Sequence, residues 1–242
     1  MSVIVPPKRA MVLAAGLGTR LRPLTLSLPK PLVEVGGRTL LDHAIDRLAL
    51  AGVKEVVVNA HYRSETIAAH LARRDHPRIT ISEEAELLDT GGGVHNALPL
   101  LGEAFFVTNS DILWMDGREP ALLRLAAAFD PEQMDAVLLL QPTVGAVGYD
   151  GIGDYFLDPF GRPRRRRERE VAPFLFAGVQ LLHRRLFRGV DEPVFSLVSL
   201  YDRAEAAGRL GALVHDGAWY HVGTPEGLAA TRAQFAARRI ER

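Results

Sequence analysis

Short apolar runs alternate with longer amphipathic stretches over the first half of the chain. The short runs are rich in β-branched residues and have the length of buried strands, whereas the longer stretches repeat their apolar residues every three to four positions, as helices do. The predicted strands are Arg9–Ala14, Glu55–Asn59, Arg78–Ser82, Phe105–Asn109 and Ala136–Gln141. This alternation predicts an α/β fold with a mostly parallel, doubly wound, Rossmann-like sheet.

Helices are predicted where apolar spacing coincides with residues that begin or end helices. Leu40–Ala51 carries its apolar residues on one face and ends at Gly52. Ser64–Arg73 begins with a serine that can cap the helix. In Pro225–Arg239 the proline takes the first helical position, directly after Thr224 as the cap. These helices supply the layers that cover the predicted sheet.

The alternation is less regular in the second half of the chain. Asp154–Asp158 and Phe174–Leu182 are predicted to be strands of a smaller antiparallel portion of the sheet. Between them lies a basic run, Arg164–Arg167 with Arg169. Such a run is most often a solvated loop or hairpin, and contact with a phosphate or another subunit is the alternative. No repeat or linker divides the chain, so one domain over residues 1–242 is predicted.

The composition restricts the classes of function. The chain has 242 residues, of which 48% are hydrophobic, which is enough for a sizeable core. Basic and acidic residues number 29 each, and a net charge of zero argues against a general role on nucleic acid or membrane surfaces. Without cysteine there is neither a disulfide nor a thiolate metal site. No apolar run has the length of a membrane span or the form of a signal peptide, so a cytoplasmic protein with small-molecule substrates is expected.

A glycine-rich turn follows the first predicted strand. Residues 13–32 read L-A-A-G-L-G-T-R-L-R-P-L-T-L-S-L-P-K-P-L. Glycines allow the backbone to approach phosphate oxygens, and Arg20, Arg22 and Lys30 supply cations for a triphosphate. Leu21 stands where the dinucleotide-binding fingerprint has a third small residue, and the chain contains no P-loop string. The segment therefore indicates a nucleotide site of another kind, and a glycine turn with solvated basic residues is the alternative.

Three glycine-rich or polar segments directly follow predicted strands: Ala14–Gly18, Asn59–Tyr62 and Ser110–Asp111. Ligands of doubly wound sheets bind at the carboxyl ends of the strands, so one shared site is predicted. A carboxylate at such a position can hold a divalent cation over the sheet. An aspartate in an ordinary turn is the alternative for Asp111.

The string G-x-G-T-R-L-x-P-L-T followed by P-K-P, in residues 16–31, resembles the signature of the sugar-1-phosphate nucleotidyltransferases, and the resemblance covers nearly the whole chain. It implies an enzyme that joins a nucleoside triphosphate and a sugar 1-phosphate, with Arg20, Lys30 and Asp111 as catalytic residues. Asp111 is the implied ligand of Mg²⁺. The residues implied in nucleotide binding are Ala15, Gly16, Gly18, Thr19, Arg20, Lys30, Gly91 and Asn109.

A second glycine-rich segment, L-D-T-G-G-G in residues 88–93, precedes the helical pattern Val94–Leu98. It is similar to the loop that this family places against the nucleobase, with Gly91 beside the base, and a mobile loop is the alternative. The string is typical of a subgroup of uridylyltransferases that act on N-acetylmuramate 1-phosphate in cell-wall sugar recycling. UTP and that sugar are therefore expected. A GTP-dependent enzyme acting on mannose or heptose 1-phosphate is the alternative.

Two further stretches resemble the sugar side of the family's site, G-I-G-D at residues 151–154 and F-A-G-V at residues 176–179. They imply that Asp154 and Gly178 face the sugar. The chain departs from the family pattern at W-Y-H-V-G-T, where His221 stands in place of an aspartate that usually ligates the metal. His221 could bind a metal, contact phosphate, or leave Asp111 as the one protein ligand. This departure keeps a non-catalytic sugar-nucleotide sensor open as the rival function.

Overall fold

A nine-stranded mixed sheet forms the centre of the computed structural model, which describes residues 6–240. The strands of this sheet and of two short two-stranded sheets are, in chain order, β1 (Arg9–Leu13), β2 (Glu34–Val35), β3 (Arg38–Thr39), β4 (Glu55–Ala60), β5 (Arg78–Glu83), β6 (Ala104–Asn109), β7 (Ile112–Met115), β8 (Ala136–Pro142), β9 (Tyr155–Leu157), β10 (Pro163–Arg165), β11 (Phe174–His183), β12 (Leu210–Val214) and β13 (Ala218–His221). The helices are α1 (Leu40–Leu50), α2 (Ser64–Leu71), α3 (Asp89–Ala97), α4 (Ala121–Ala128), α5 (Leu197–Ala206) and α6 (Pro225–Ile240).

The first half of the sheet is parallel. β1 lies between β4 and β6 and runs parallel to both, and β5 lies beyond β4 in the same direction. The register places Leu13 at the end of β1 opposite Asn59 of β4 and Asn109 of β6. Because parallel strands end at one edge, the glycine-rich segment leaves β1 between two asparagines. The α/β sheet predicted from the sequence is confirmed, including the convergence of strand ends.

The second half of the sheet is mixed. β11 is antiparallel to β6 and β8, and β12 is parallel to β8. β9 and β10 form a hairpin that carries part of the basic run, in which Arg164 pairs with Glu170 and Arg165 with Asp202. The interpretation as a hairpin at the surface is therefore confirmed for these two arginines. The short strands β7 and β13 were not predicted, and their antiparallel pairing places His221 opposite Ile112.

Helices cover both faces of the parallel strands. Alternate residues of β1 point to opposite faces, so Ala10 and Val12 belong to one buried cluster and Met11 to another. The first cluster includes the predicted apolar face of α1, Leu41, Ala44, Ile45 and Leu48. Burial on both faces explains why the strand is apolar throughout instead of alternating. Within residues 6–240, the structure contains no helix with the length and apolar character of a membrane span.

Two helix starts differ in their outcome. The predicted cap at Thr224 is confirmed, because its side-chain oxygen accepts a hydrogen bond from the amide of Gly227 at 3.1 Å. The predicted cap at Ser64 is wrong. Ser64 is the first residue of α2, and the preceding Arg63 has left-handed backbone geometry with φ 52°. The side chain of Arg63 instead donates to the carbonyl of Leu26, which holds this turn against the segment that follows the glycine-rich loop.

The glycine triplet Gly91–Gly93 lies inside α3, so the expectation of a loop before the helix is wrong. A side chain at the first two glycines would overlap the ring of Phe195 and the carbonyl of Pro193. A Cβ at the third would lie 2.7 Å from a carboxylate oxygen of Glu84. The glycines therefore allow close packing of α3 against its neighbours.

Candidate active site

A cleft of about 560 Å³ opens at the carboxyl ends of β1, β4 and β6. This volume lies in the range of small-molecule binding sites. Of the residues predicted from the sequence, the cleft is lined by Ala15, Gly16, Gly18, Thr19, Arg20, Lys30, Asn109 and Asp111. The other wall consists of Glu84, Leu87, Asp89 and Thr90. The fold thus brings the two glycine-rich segments and the aspartate after β6 to one place.

The glycine-rich loop is held in a fixed conformation. Gly18 has φ +63°, and a Cβ there would lie 2.9 Å from the Cβ of Lys30, so only glycine fits. The hydroxyl of Thr25 donates to the carbonyl of Gly18 at 2.8 Å. The amides of residues 15–17 donate to no acceptor in the described part of the chain, so they remain available for phosphate oxygens.

Lys30 reaches the floor of the cleft. It begins a 3-10 turn directly after Pro29, and its ammonium lies 2.6 Å from Oδ2 of Asp111. The side chain of Lys30 is 11% exposed and that of Asp111 is 23% exposed. Two opposite charges from segments 81 residues apart therefore meet directly after β6.

His221 approaches the same carboxylate. Its Nε2 lies 3.6 Å from Oδ2 of Asp111, and its Nδ1 lies 3.3 Å from the carbonyl of Gly148. The imidazole also stacks on Trp219, with ring centroids 6.0 Å apart. One ring nitrogen thus faces a backbone carbonyl and the other faces Asp111, which is the placement of a metal-ligating histidine.

The charge state of Asp111 follows from these neighbours. Burial by itself would raise the pKa of Asp111, but the neighbouring His221 imidazole and the positive charge of Lys30 outweigh it. The pKa of Asp111 is held well below its usual range. Its carboxylate is therefore ionised at neutral pH.

The buried polar pair that Asn59 and Glu84 form beside the cleft was not predicted from the sequence. The side-chain oxygen of Asn59 accepts from the amide of Ala14 at 2.7 Å, and its nitrogen donates to Oε1 of Glu84 at 2.6 Å. Oε2 of Glu84 accepts from the amide of Leu88 at 3.2 Å. The available signal was a polar residue at the end of an apolar strand, because Asn59 ends the valine-rich run of β4.

A family model described as nucleotidyl transferase matches residues 9–149, which is more than half of the chain. The chain belongs to the nucleotidyl transferase family. The matched range contains every residue that lines the cleft except Gly223. Enzymes of this family join a nucleoside triphosphate to a sugar 1-phosphate, and the chain is an enzyme of this class.

Two relatives match this nucleotidyl transferase over most of their length. N-acetylmuramate alpha-1-phosphate uridylyltransferase of Caulobacter vibrioides is 44% identical over 95% of this chain and 98% of the relative. The protein with the same description in Neisseria meningitidis serogroup B is 34% identical over 89% of this chain and 93% of its own. The inositol-1-phosphate CTP transferase of T. maritima has a TM-score of 0.79 at 17% identity, covers 96% of each chain, and shows that the fold is shared.

The guanylyltransferase alternative matches over a shorter range. Mannose-1-phosphate guanyltransferase of Aspergillus fumigatus is 45% identical, but over only 43% of this chain and 30% of the relative. The similarity to guanylyltransferases is therefore partial, whereas the similarity to uridylyltransferases extends over almost the whole nucleotidyl transferase chain.

Four predicted site residues do not line the cleft of this nucleotidyl transferase: His221, which lies beside it near Asp111, and Gly91, Asp154 and Gly178. Gly91 is buried in α3, and its amide donates to the carbonyl of Phe195 at 2.8 Å. The side chain of Asp154 accepts from the amide of Phe176 at 2.8 Å. Gly178, with φ +74°, packs behind Asn109. Their assignments to base and sugar stay predictions, and in the cleft itself Leu87, Asp89 and Thr90 occupy the wall next to Gly91.

Proposed function

We propose that the chain transfers the uridylyl group of UTP to N-acetylmuramate 1-phosphate, with release of pyrophosphate. The observation that carries this proposal is the 44% identity to a uridylyltransferase of that specificity over 95% of the chain. The cleft at the strand ends supports it, because its glycine-rich loop, cations and carboxylate suit a triphosphate and a second phosphate. The place of the reaction in cytoplasmic recycling of cell-wall sugars follows from this substrate and stays a prediction.

The chemistry is an in-line displacement at the α-phosphorus. An oxygen of the sugar phosphate forms the new P–O bond, and the bond to the bridging oxygen breaks, so that pyrophosphate leaves with the electron pair. The second pKa of a phosphate monoester is about 6, so the nucleophile is already largely ionised at neutral pH and needs no general base. Catalysis is then a matter of positioning and charge neutralisation.

The cleft residues divide this work between them. The amides of residues 15–17 would cradle the triphosphate, and Arg20 would neutralise the departing pyrophosphate. Lys30, fixed at the end of β6 by Asp111, would bridge the α-phosphate and the incoming sugar phosphate. Lys30 is already oriented by its contact with Asp111, and the loop by the bond from Thr25 to Gly18, so the charges that develop in the transition state would meet groups that are in place.

The residues at the end of β6 fit a magnesium ion. Residues 6–240 contain no group of three or more histidine, cysteine, aspartate or glutamate side chains that could hold a metal. Mg²⁺ commonly uses one or two carboxylates and completes its shell with phosphate oxygens and water, which matches a single ionised aspartate beside a phosphate site. Asp111 would hold the ion, with His221 as the second candidate ligand. When bound, Mg²⁺ neutralises phosphate charge.

UTP is expected to be the preferred nucleotide. Pyrophosphate release should be measured with UTP, GTP, ATP and CTP, each with N-acetylmuramate 1-phosphate at saturating Mg²⁺. We expect kcat/KM with UTP to exceed that with the other three by about tenfold or more, as binding-site contacts to a base allow. N-acetylglucosamine 1-phosphate, which lacks only the lactyl group, is the matched control for the sugar. A preference for GTP would instead favour the mannose- or heptose-phosphate enzyme.

His221 is expected to shift the metal preference. Because Co²⁺ and, to a smaller extent, Mn²⁺ accept imidazole more readily than Mg²⁺ does, we expect the Mn²⁺ or Co²⁺ rate relative to the Mg²⁺ rate to fall in His221→Asp. Turnover and Mn²⁺ affinity of both proteins, the latter by calorimetry, provide the measurement. Unchanged metal ratios and unchanged Mn²⁺ affinity would show that the imidazole does not contact the ion.

A further inference from the structure

Asn59 connects the two walls of the cleft. On one side its side-chain oxygen accepts the amide hydrogen of Ala14, where β1 passes into the glycine-rich loop. On the other side it donates to Glu84, whose second carboxylate oxygen holds the amide of Leu88 just before α3. Asn59 is 3% exposed and Glu84 is 6% exposed. Three hydrogen bonds thus link the glycine-rich loop to the wall made by residues 84–90.

We propose that Asn59 is a positioning residue for the nucleoside triphosphate. Through its bonds to Ala14 and Glu84, Asn59 sets the distance between the glycine-rich loop and the opposite wall of the cleft. The effect on substrate is indirect, because Asn59 reaches both walls through these bonds. The inference rests on the activity of the family and not on the choice of UTP.

The chemistry of the pair requires a carboxamide at this position. The amide of Ala14 can only donate, and the carboxylate of Glu84 can only accept, so the side chain between them must accept on one side and donate on the other. Asparagine does both. Aspartate at position 59 would keep the bond to Ala14 but would place a second acceptor against Glu84.

The glycine triplet supplies an independent observation. A Cβ at Gly93 would lie 2.7 Å from Oε1 of Glu84 and 2.9 Å from Nδ2 of Asn59. These are the two atoms of the hydrogen bond between Asn59 and Glu84. Helix α3 therefore packs directly on this hydrogen bond, and the third glycine of the L-D-T-G-G-G string leaves room for the pair.

A charge-swap cycle tests the proposal. The dissociation constant of UTP should be measured by calorimetry for the full chain, for Asn59→Asp, for Glu84→Gln and for the double variant. In Asn59→Asp we expect UTP binding at least about tenfold weaker, because two acceptors now face each other in a buried place. In the double variant, the new carboxamide at position 84 can donate to the new carboxylate at position 59, so binding should return to within about threefold of Glu84→Gln alone. Comparing the double variant with Glu84→Gln alone cancels any direct contribution of Glu84 to the affinity for UTP.

Two further variants separate positioning from folding. Gly93→Ala adds one methyl group that meets only the ends of the Asn59 and Glu84 side chains, which can shift, and alanine favours the helix. The variant should therefore fold and still weaken UTP binding several-fold. Ser82 lies near the end of β5, and its buried hydroxyl accepts a hydrogen bond from the side chain of Asn96 in α3. Neither residue lines the cleft, so Ser82→Ala should leave UTP binding unchanged. Melting temperatures of all variants accompany the binding data.

The proposal fails if Asn59→Asp binds UTP like the original chain, or if Glu84→Gln gives no rescue of that variant. If Asn59→Asp does not fold, Gly93→Ala decides, and unchanged UTP affinity in that variant overturns the proposal. If the original chain prefers GTP, the same cycle is measured with GTP. In that case the choice of UTP is wrong while the role of Asn59 is still tested.

Discussion

Replacing Lys30 with alanine is expected to lower kcat/KM by about a hundredfold or more, the scale of losing one fixed charge partner of a transition state. The ammonium of Lys30 lies 2.6 Å from Asp111 at the floor of the cleft and is held by a turn between two prolines. Because Lys30 acts on the phosphate that is transferred, kcat should fall more than KM rises. Steady-state kinetics with UTP and N-acetylmuramate 1-phosphate, together with the melting temperature, measure this effect.

Arg22 offers a matched control for Lys30. It belongs to the same basic segment, but its side chain does not line the cleft, so Arg22→Ala should keep kcat/KM within a few-fold of the original value. Lys30→Arg keeps the charge but replaces a compact ammonium with a wider fork, and only partial activity is expected. Near-normal turnover of Lys30→Ala would remove Lys30 from the mechanism.

Asp111→Asn is expected to lower kcat/KM at saturating Mg²⁺ by about a hundredfold or more. The substitution preserves the size of the side chain and removes the one carboxylate at the end of β6, so Lys30 and His221 lose their shared partner. Affinity for Mn²⁺, measured by calorimetry, should fall in parallel. In the original chain Asp111 stays ionised as the pH falls towards 5, because its pKa is held far below the usual range, so it should not produce the acidic limb of a pH–rate profile.

Asp116 is a suitable control for this loss of charge. It pairs with Arg47 at 2.7 Å, and neither residue lines the cleft. Asp116→Asn removes a similar ion pair and should lower the melting temperature without changing kcat/KM. Full activity of Asp111→Asn in Mg²⁺ would place the metal elsewhere and contradict the mechanism.

The glycine triplet shows how a correct motif can be given a wrong local structure. Three consecutive glycines predict a loop, because glycine has low helix propensity. In the fold, α3 passes so close to Phe195 and Glu84 that a side chain on the triplet would press against them, and this packing outweighs the propensity. Phe195 lies about a hundred residues from the triplet in the chain, so the apolar periodicity within the helix could not reveal that the two would be in contact.

The sequence by itself determined the parallel sheet and the edge of that sheet at which the candidate site lies. Apolar runs of strand length and helices of period 3.6 are local patterns, and the strand ends of such a sheet necessarily converge. Gly18 and Asp111 could therefore be predicted to meet, whereas Lys30 was assigned to the same site by the resemblance to the family.

Only the tertiary structure decided which polar groups pair across the cleft. The bonds of Asn59 to Ala14 and Glu84, and the approach of His221 to Asp111 through the pairing of β13 with β7, depend on strand order and register. Those are set by packing of the whole chain, because each bond joins segments that no local pattern relates.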